Sequence, residues 1–497
     1  MENSAEPSNP AETTDSTRLT ALQQSLLRRE INRSCSAPVM AWYISSVVWL
    51  LIGTALAMIA SLKMHTPEFL ADTNWLTFGR VRPAHLNAVI YGWASMAGIG
   101  TLLWLMAHLC RRTLVWPQGI FAGALGWNVL IAIGTWQILT GHGTSIEWLE
   151  FPKWIALPLG AIFLGLFATT IKMLTTRRQK HLYVSQWYLF GASIWFPILY
   201  IAATILLHSP AATGVANAPA NWWYAHNVLG LWLTPIGLAS AYYFIPKVIG
   251  RPIHSYYLSV VGFWTLALFY NWAGTHHLIG GPIPAWMITL GTVGSMMMFV
   301  PVIAVAVNHH MTMTGHFRYL KTSPTLRFVV FGAMAYTAVS VQGSLSALRT
   351  VSETAHFTHY TIAHAHLGVY GFFSMVMFGA MYYVIPRLLD REWSSSRLIK
   401  IHFWSASFGI ASYFLSLTIG GWIQGTQMNN PDIEFLKIVK LMNPYLLLRS
   451  LSGMLMTIGH LTFALLVLII VVKACFKKRQ QVADSQPTPA TASEGQA

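Results

Sequence analysis

The chain has 497 residues, of which 54% are hydrophobic and only 9% are charged. A soluble domain carries about 25% charged residues, so this composition excludes an ordinary soluble protein and is typical of a chain that lies mostly within a lipid bilayer. The formal net charge of +15 does not indicate nucleic-acid binding, because the Lys and Arg residues fall in the short connections between apolar segments.

The polar residues 1–38 predict a disordered cytoplasmic N-terminal tail, and residues 476–497 predict a similar C-terminal tail. Residues 39–475 contain twelve apolar segments, each long enough to cross about 30 Å of hydrocarbon. They are 39–62, 84–109, 114–139, 153–174, 183–208, 219–246, 256–280, 284–308, 325–348, 358–386, 399–424 and 446–473. The predicted fold class is therefore all-α, a polytopic membrane protein with a bundle of twelve transmembrane helices.

The basic residues predict the orientation of these helices. Most of the 31 Lys and Arg residues lie on one side of the membrane if both termini are cytoplasmic, as the positive-inside rule requires. We therefore expect a multi-pass protein of the bacterial cytoplasmic membrane in which odd-numbered helices run outward.

Six histidines then fall at one depth, in the outer third of the membrane, on four different helices. They are His85, His226, His276, His277, His364 and His366. A lone histidine on an apolar helix is more often a hydrogen-bonded core residue, and we interpret the mid-membrane His460 in this way. The pair His309-His310 ends an inward-running segment and is interpreted as a solvated feature of the cytoplasmic surface.

Imidazole is a natural ligand of copper and of haem iron, and polar groups kept in hydrocarbon indicate function. His226 and the adjacent His276 and His277 form a copper-type set, provided that the helix end unwinds near Gly274. Residues two apart on a helix leave on nearly opposite faces, so the helix that carries the remaining histidine pair can serve two haems.

In that arrangement His85 and His366 are the two axial ligands of one haem. His364, on the other face, holds a second haem whose open side meets the copper. One coordination position stays vacant, as the chemistry of O₂ or NO requires.

With these residues in place, the chain resembles the catalytic subunit of the heme-copper oxygen reductases, most closely the C family, the cbb3-type cytochrome c oxidase subunit I (CcoN-like). The matching stretches are RVRPAHLNAVIYGW, WWYAHNVLGLWLTPIGLASAYYFIPK, RPIHSYYLSVVGFWTLALFYNWAGTHHL, TIAHAHLGVYGF and LMNPYLLLRSLSG. The resemblance implies low-spin haem b on His85 and His366, high-spin haem b3 on His364, and CuB on His226, His276 and His277.

The resemblance also places Tyr270 as the active-site tyrosine, which in the family is covalently linked to the copper-ligating histidine of the sixth helix. A phenol beside the metals can give both an electron and a proton. Tyr242, Tyr256 and Ser259 lie on a rough line from the inner face toward it, where the family has its proton path. The alternative for each of these three is an ordinary interfacial or packing residue.

Charged and polar positions near the outer face complete the expectations. We expect Arg449, and Arg80 or Arg82, to pair with haem propionates. Glu147 and Glu150 match a family segment close to a calcium ion, although exposed loop carboxylates are more often simply solvated. A departure is Gln342, which stands where members of that family have a Glu, and an amide cannot titrate.

The predicted function is therefore O₂ reduction to water coupled to proton uptake and translocation. Electrons come from cytochrome c through membrane-anchored mono-haem and di-haem cytochrome c subunits, because Cys35, Cys110 and Cys475 form no CxxCH or CuA-type motif. Alternatives are a nitric oxide reductase with non-haem iron, an inactive or altered-coupling paralogue, and a secondary transporter. The first would have a carboxylate after His226 and no Tyr270; the transporter would have broken helices around a midplane site.

Overall fold

The structure is a computed structural model that describes the backbone of residues 10–210 and 212–484 and the side chains of residues 21–210 and 212–476. The regular elements in those ranges are helical, which confirms the predicted all-α class. Twelve long helices follow one another along the chain. They are α1 (Pro10–Lys63), α2 (Phe78–Leu109), α3 (Pro117–Thr140), α4 (Lys153–Thr175), α5 (Val184–His208), α6 (Gly214–Ile249), α7 (Tyr256–Ala273), α8 (Ala285–Met313), α9 (Pro324–Ser346), α10 (His359–Leu389), α11 (Ser396–Met428) and α12 (Phe435–Asp484).

Within the described residues, eleven of these helices are long and apolar enough to cross a membrane. The remaining one, α7, has 18 residues and a less apolar sequence that includes Tyr, Trp and Asn. It corresponds to the predicted segment 256–280 but ends earlier, because a 3₁₀ turn begins at Gly274. The bundle thus agrees with the predicted twelve helices.

The first helix differs from the predicted disordered tail 1–38. It begins at Pro10, and Ile31, Cys35 and Val39 are buried at intervals of four residues. This apolar stripe continues the buried face of the membrane helix, so one face of residues 31–38 is packed against the bundle. Residues 1–9 and 485–497 lie outside the described part of the chain.

Short connections with ordinary helix caps make neighbouring helices antiparallel. The hydroxyls of Ser255, Ser323 and Ser395 each accept a hydrogen bond from the backbone N–H three residues later, at the starts of α7, α9 and α11. Gly141 and Gly250 end α3 and α6 with φ of 89° and 72°, a conformation that favours glycine. The end of the bundle where α1 finishes is called the histidine end here, and the opposite end the basic end.

Three helices occupy the centre of the bundle. The most apolar window of α2 is 94% buried, that of α6 83% and that of α10 78%, whereas the other membrane helices reach at most 56%. Polar groups within a bilayer are stable only where they face the protein interior. The central helices are the ones that carry His85, His226, His364 and His366.

Each central helix contains one π-helical segment that begins one to three residues after His85, His226 or His366. The segments are Ala88–Ala94, Val228–Leu233 and Leu367–Ser374. A wider turn leaves a backbone carbonyl without its usual partner. The Trp127 indole N–H donates to the Tyr91 carbonyl at 2.9 Å, and the Ser374 hydroxyl donates to the Val369 carbonyl at 2.8 Å. The segments therefore change the helical phase of the histidines relative to the packed remainder of each helix.

Candidate functional site

The three histidines of the copper-type set lie together. His226, His276 and His277 each bring one ring nitrogen to within 4.8 Å of the others. His226 projects from α6, and the adjacent pair lies on the 3₁₀ turn Gly274–Leu278, after the regular helix has ended. A point equidistant from three atoms at most 4.8 Å apart lies within about 3 Å of each, close to a metal–nitrogen bond of about 2 Å. A metal ion therefore fits with small side-chain adjustments.

Neighbouring groups orient two of these rings. The Ser295 hydroxyl donates to the Gly291 carbonyl at 2.8 Å, so it accepts a hydrogen bond from Nδ1–H of His276, also at 2.8 Å. This fixes the tautomer of His276 and leaves its Nε2 as a bare ligand atom. The His277 ring stacks on Trp222 at 4.1 Å with planes 10° apart. Nδ1 of His226 is buried without a hydrogen-bond partner, a condition that a bound metal would relieve.

His85 and His366 face each other across the centre of the bundle. Their ring centroids are 6.5 Å apart and their planes differ by 11°. Two imidazoles that bind one iron from opposite sides, with metal–nitrogen bonds of about 2 Å, have centroids about 6 Å apart. Nδ1 of His85 is hydrogen-bonded to the Gly53 carbonyl and Nδ1 of His366 to the Ile362 carbonyl, each at 2.9 Å. Both Nε2 atoms are therefore free to act as ligands. The pair fits a six-coordinate haem iron.

His364 leaves α10 on the face opposite to His366 and approaches the copper-type set. It is close enough to interact electrostatically with His226, His276 and His277. Its Nδ1 lies 3.3 Å from Oε1 of Gln342, on α9. A Cβ on the next residue, Gly343, would come within 2.7 Å of Cε1 of His364, so the glycine makes room for the ring.

Tyr270 lies directly against the copper-type set. Its ring is 4.3 Å from that of His226, with planes 27° apart. The space for it comes from Gly230 on α6, where a Cβ would overlap three carbon atoms of the Tyr270 ring. The phenol is therefore held in contact with a histidine of the set by the absence of a side chain on the neighbouring helix.

All six histidines retain some accessible surface although protein atoms surround them. Enclosed side chains that a water-sized sphere still reaches line an internal space. The donor set and this space both suit bound haems, which His85, His366 and His364 would hold.

The predicted propionate partners divide into two groups. Arg449 and Arg82 lie close enough to His85 and His366 to influence both rings electrostatically. Arg449 also donates to the Tyr413 hydroxyl at 3.1 Å. Arg80 instead donates to the carbonyls at positions 74 and 139, so its guanidinium holds the loops together.

The two loop carboxylates have different environments. Glu147 is partly exposed and forms an ion pair with Arg82 at 2.8 Å. Glu150 is only 4% exposed and accepts a hydrogen bond from the Asn87 amide at 2.8 Å. Burial raises the pKa of Glu150 to about 7, more than the Asn87 hydrogen bond lowers it.

The three predicted proton-path residues do not form one hydrogen-bonded chain. Tyr242 and Ser259 are buried, whereas Tyr256 is exposed at the basic end. The Ser259 hydroxyl donates to the Tyr256 carbonyl at 2.6 Å, within α7. Sequence reasoning missed Tyr336, a buried residue of α9 that lies near both Tyr242 and Tyr270. Its position seven residues before Gly343, on the same face of α9, was the available signal.

The predictions for the other histidines had opposite outcomes. The two ring nitrogens of His460 are hydrogen-bonded to the hydroxyls of Thr54 and Tyr370, at 2.8 Å each. This confirms that side chains of neighbouring helices supply its hydrogen-bond partners. The interpretation of His309 as a solvated surface residue is wrong, since only 4% of it is exposed; His310 is exposed as expected. The reason is that α8 continues to Met313, beyond the predicted end at residue 308, so His309 lies one turn inside the helix.

The chain is similar to known proteins over most of its length. Residues 37–455 match the model of the family described as cytochrome c and quinol oxidase polypeptide I. The chain belongs to this family. It is 32% identical to the cbb3-type cytochrome c oxidase subunit CcoN1 of Stutzerimonas stutzeri, over 86% of this chain and 93% of that protein. It is also 32% identical to a cytochrome c oxidase subunit 1 homolog of Azorhizobium caulinodans, over 88% and 82% of the two chains.

Two more distant matches complete the comparison. A solved structure of a heme-copper terminal oxidase dimer has the same fold, with a TM-score of 0.68 at 14% identity over 90% of this chain and 84% of that chain. A nitric oxide reductase subunit of Stutzerimonas stutzeri is 24% identical over 63% of this chain and 67% of that protein. The predicted resemblance to heme-copper oxidases of the cbb3 type is confirmed, and with it the prediction of an oxidoreductase.

Proposed function

We propose that the chain is the catalytic subunit of a cbb3-type cytochrome c oxidase that reduces O₂ to water and couples the reaction to proton uptake and translocation. The observation that carries this proposal is the joint geometry of the site. Three histidine nitrogens lie within 4.8 Å of one another beside Tyr270, and the rings of a second histidine pair, His85 and His366, are nearly parallel with centroids 6.5 Å apart, a spacing that suits one iron.

In this proposal His85 and His366 hold low-spin haem b, His364 holds high-spin haem b3, and the set of His226, His276 and His277 holds CuB. When bound, these groups supply electron transfer and the redox chemistry of O₂. The protein holds the ligands in fixed tautomers, through Ser295 for His276 and through backbone carbonyls for His85 and His366.

Tyr270 is proposed as the residue that gives an electron and a proton to the reaction. Its ring lies against the His226 ring, and Gly230 leaves the space that this position requires. A phenol held in contact with the metal ligands needs no rearrangement before it reacts, which is the advantage of a preorganised site.

Protons are proposed to reach Tyr270 from the basic end of the bundle. Tyr256 and Ser259 lie at the entrance on α7, while Tyr242 and Tyr336 lie deeper on α6 and α9. The hydroxyls of Tyr242 and Tyr336 are buried and make no hydrogen bond of good geometry within the protein. Bound water would connect such groups into a path.

The proposed setting is the bacterial cytoplasmic membrane, with both termini and the basic end in the cytoplasm. Electrons would enter at the histidine end from membrane-anchored mono-haem and di-haem c-type cytochrome subunits, which receive them from cytochrome c. Arg449 and Arg82 would pair with haem propionates. Glu147 would contribute a ligand to a Ca²⁺ ion near the propionates.

The test is a metal count and an optical spectrum on the purified complex, followed by turnover with reduced cytochrome c and O₂. We expect one copper and two haems b per copy of this chain, with CO bound to only one haem in the reduced state. Non-haem iron in place of copper, together with NO reduction, would assign the chain to the nitric oxide reductases. Full cofactor content without O₂ consumption would indicate an inactive paralogue.

A further inference from the structure

His309 has an unusual environment for a membrane-buried histidine. It lies on α8, one turn from the basic end, and is 4% exposed. Neither ring nitrogen has a hydrogen-bond partner. Its ring is 4.5 Å from that of Tyr242 on α6, with planes 61° apart. The adjacent His310 points out of the bundle, is exposed, and is hydrogen-bonded to the Ala306 carbonyl at 2.7 Å.

Unpartnered polar atoms continue from His309 into the bundle. The hydroxyls of Tyr188, Tyr242 and Tyr336 are buried and lack hydrogen-bond partners of good geometry. The Tyr188 and Tyr242 rings are 5.8 Å apart, and Tyr336 lies near both Tyr242 and Tyr270. Buried polar groups are nearly always hydrogen-bonded, and where protein supplies no partner, internal water does. These hydroxyls and the His309 nitrogens lie between the basic end and Tyr270 and are the groups to which internal water would bind.

The other polar groups around His309 come from its own helix and from the helices packed against it. The side chain of the preceding residue, Asn308, accepts from the Ser255 N–H and donates to the Ser255 carbonyl at the start of α7, and it also lies near the Tyr242 hydroxyl. The titratable group facing the ring from α6 is Tyr242, and Tyr336 of α9 lies beyond it. His310 is the titratable neighbour on its own helix.

We propose that His309 carries protons into the path that ends at Tyr270. The ring takes a proton at one nitrogen from water at the basic end and releases one from the other nitrogen to water held by the hydroxyls of Tyr242 and Tyr336. Imidazole suits this transfer because it gains and loses a proton near neutral pH and has two nitrogens. This inference rests on the proposed oxidase function and assigns that function a residue at the entrance of its proton path.

The experiment uses the complete oxidase complex with His309→Gln, which stays polar but cannot carry a proton, and His309→Phe, which keeps the aromatic contact with Tyr242. His310→Gln is the matched control. For each protein, haem and copper content, turnover from pH 5 to 9, and the anaerobic reduction rate of each haem are measured.

We expect both His309 variants to keep their cofactors and to reduce the low-spin haem at the wild-type rate. Turnover and reduction of the high-spin haem fall about tenfold, because these steps take up protons. The pH profile differs from that of the wild type, because the variants remove a group that exchanges protons on the path. His310→Gln behaves as wild type.

Wild-type turnover and pH profile in His309→Gln would overturn the inference, even if His309→Phe is slow, since Gln cannot relay protons. If both variants lose haem, His309→Gly decides: recovery of turnover with added imidazole supports the inference, and its failure overturns it. A wild-type complex that lacks copper or O₂ consumption would instead refute the proposed function, so the two failures are distinguishable.

Discussion

The position of Tyr270 depends on the absence of a side chain at Gly230, and Gly230→Ala places a methyl group there. A methyl group there would overlap three ring carbons, so the ring must withdraw by more than about 1 Å to reach an ordinary carbon–carbon contact of about 3.5 Å. Displacement of about 1 Å in a reacting group lowers rates about 100-fold. Overpacking of a filled core destabilises by about 1–3 kcal/mol, which a large membrane bundle tolerates. We therefore expect turnover to fall about 100-fold in a folded, haem-containing protein.

The assay is O₂ consumption by the purified complex, with the haem spectrum as a measure of folding. Gly165→Ala is the matched control, because Gly165 lies within α4 and a Cβ there meets no atom within 4 Å. It should retain full activity. Turnover of Gly230→Ala within twofold of wild type, with the haems intact, would show that the ring position does not control the reaction.

Three further outcomes are expected. His276→Ala should lose copper and turnover and keep both haems, and retained copper by elemental analysis would contradict its assignment as a ligand. Gln342→Glu should lower the reduction potential of the haem held by His364 by several tens of millivolts in a spectroelectrochemical titration. The reason is that a carboxylate that accepts from Nδ1–H of His364 makes the imidazole a stronger electron donor to the iron. An unchanged or higher potential would contradict this. Glu150 has its pKa raised from 4.5 to about 7 by burial, so its contribution to stability is complete below pH 4.5 and is lost as the pH rises through about 7. Glu150→Gln should therefore flatten the decline of thermal stability between pH 5 and 8, measured by differential scanning fluorimetry, and a slope equal to that of wild type would refute this account.

The depth of the six histidines could be predicted from sequence because it depends on only two quantities. Apolar segment length fixes where each helix crosses, and the basic residues fix its direction. His226 and His276 could thus be brought to one level although they are 50 positions apart. In the structure these residues lie side by side, as expected for residues at one level. The 3₁₀ turn that begins at Gly274 is the unwound helix end that the adjacent pair His276 and His277 requires.

Other features gave no usable signal, for identifiable reasons. The end of α8 is uncertain by several residues in a hydropathy profile, and that error decided whether His309 is buried or exposed. The buried stripe of Ile31 and Cys35 was hidden by the polar residues around it. The space that Gly230 leaves for the Tyr270 ring depends on how closely α6 and α7 approach each other, and the sequence of one helix does not give that distance.

The π-helical segments have a consequence for anyone who wishes to transplant this site into a designed bundle. Each π-helical segment widens the turn between a histidine and the packed part of its helix, as Val228–Leu233 does after His226. A scaffold of ideal α-helices with the same residues at the same spacing would aim its imidazoles about 100° away from their targets for every residue of register lost. Removing one residue from such a segment, without touching any ligand, should therefore misdirect the histidine while leaving the helix itself more regular.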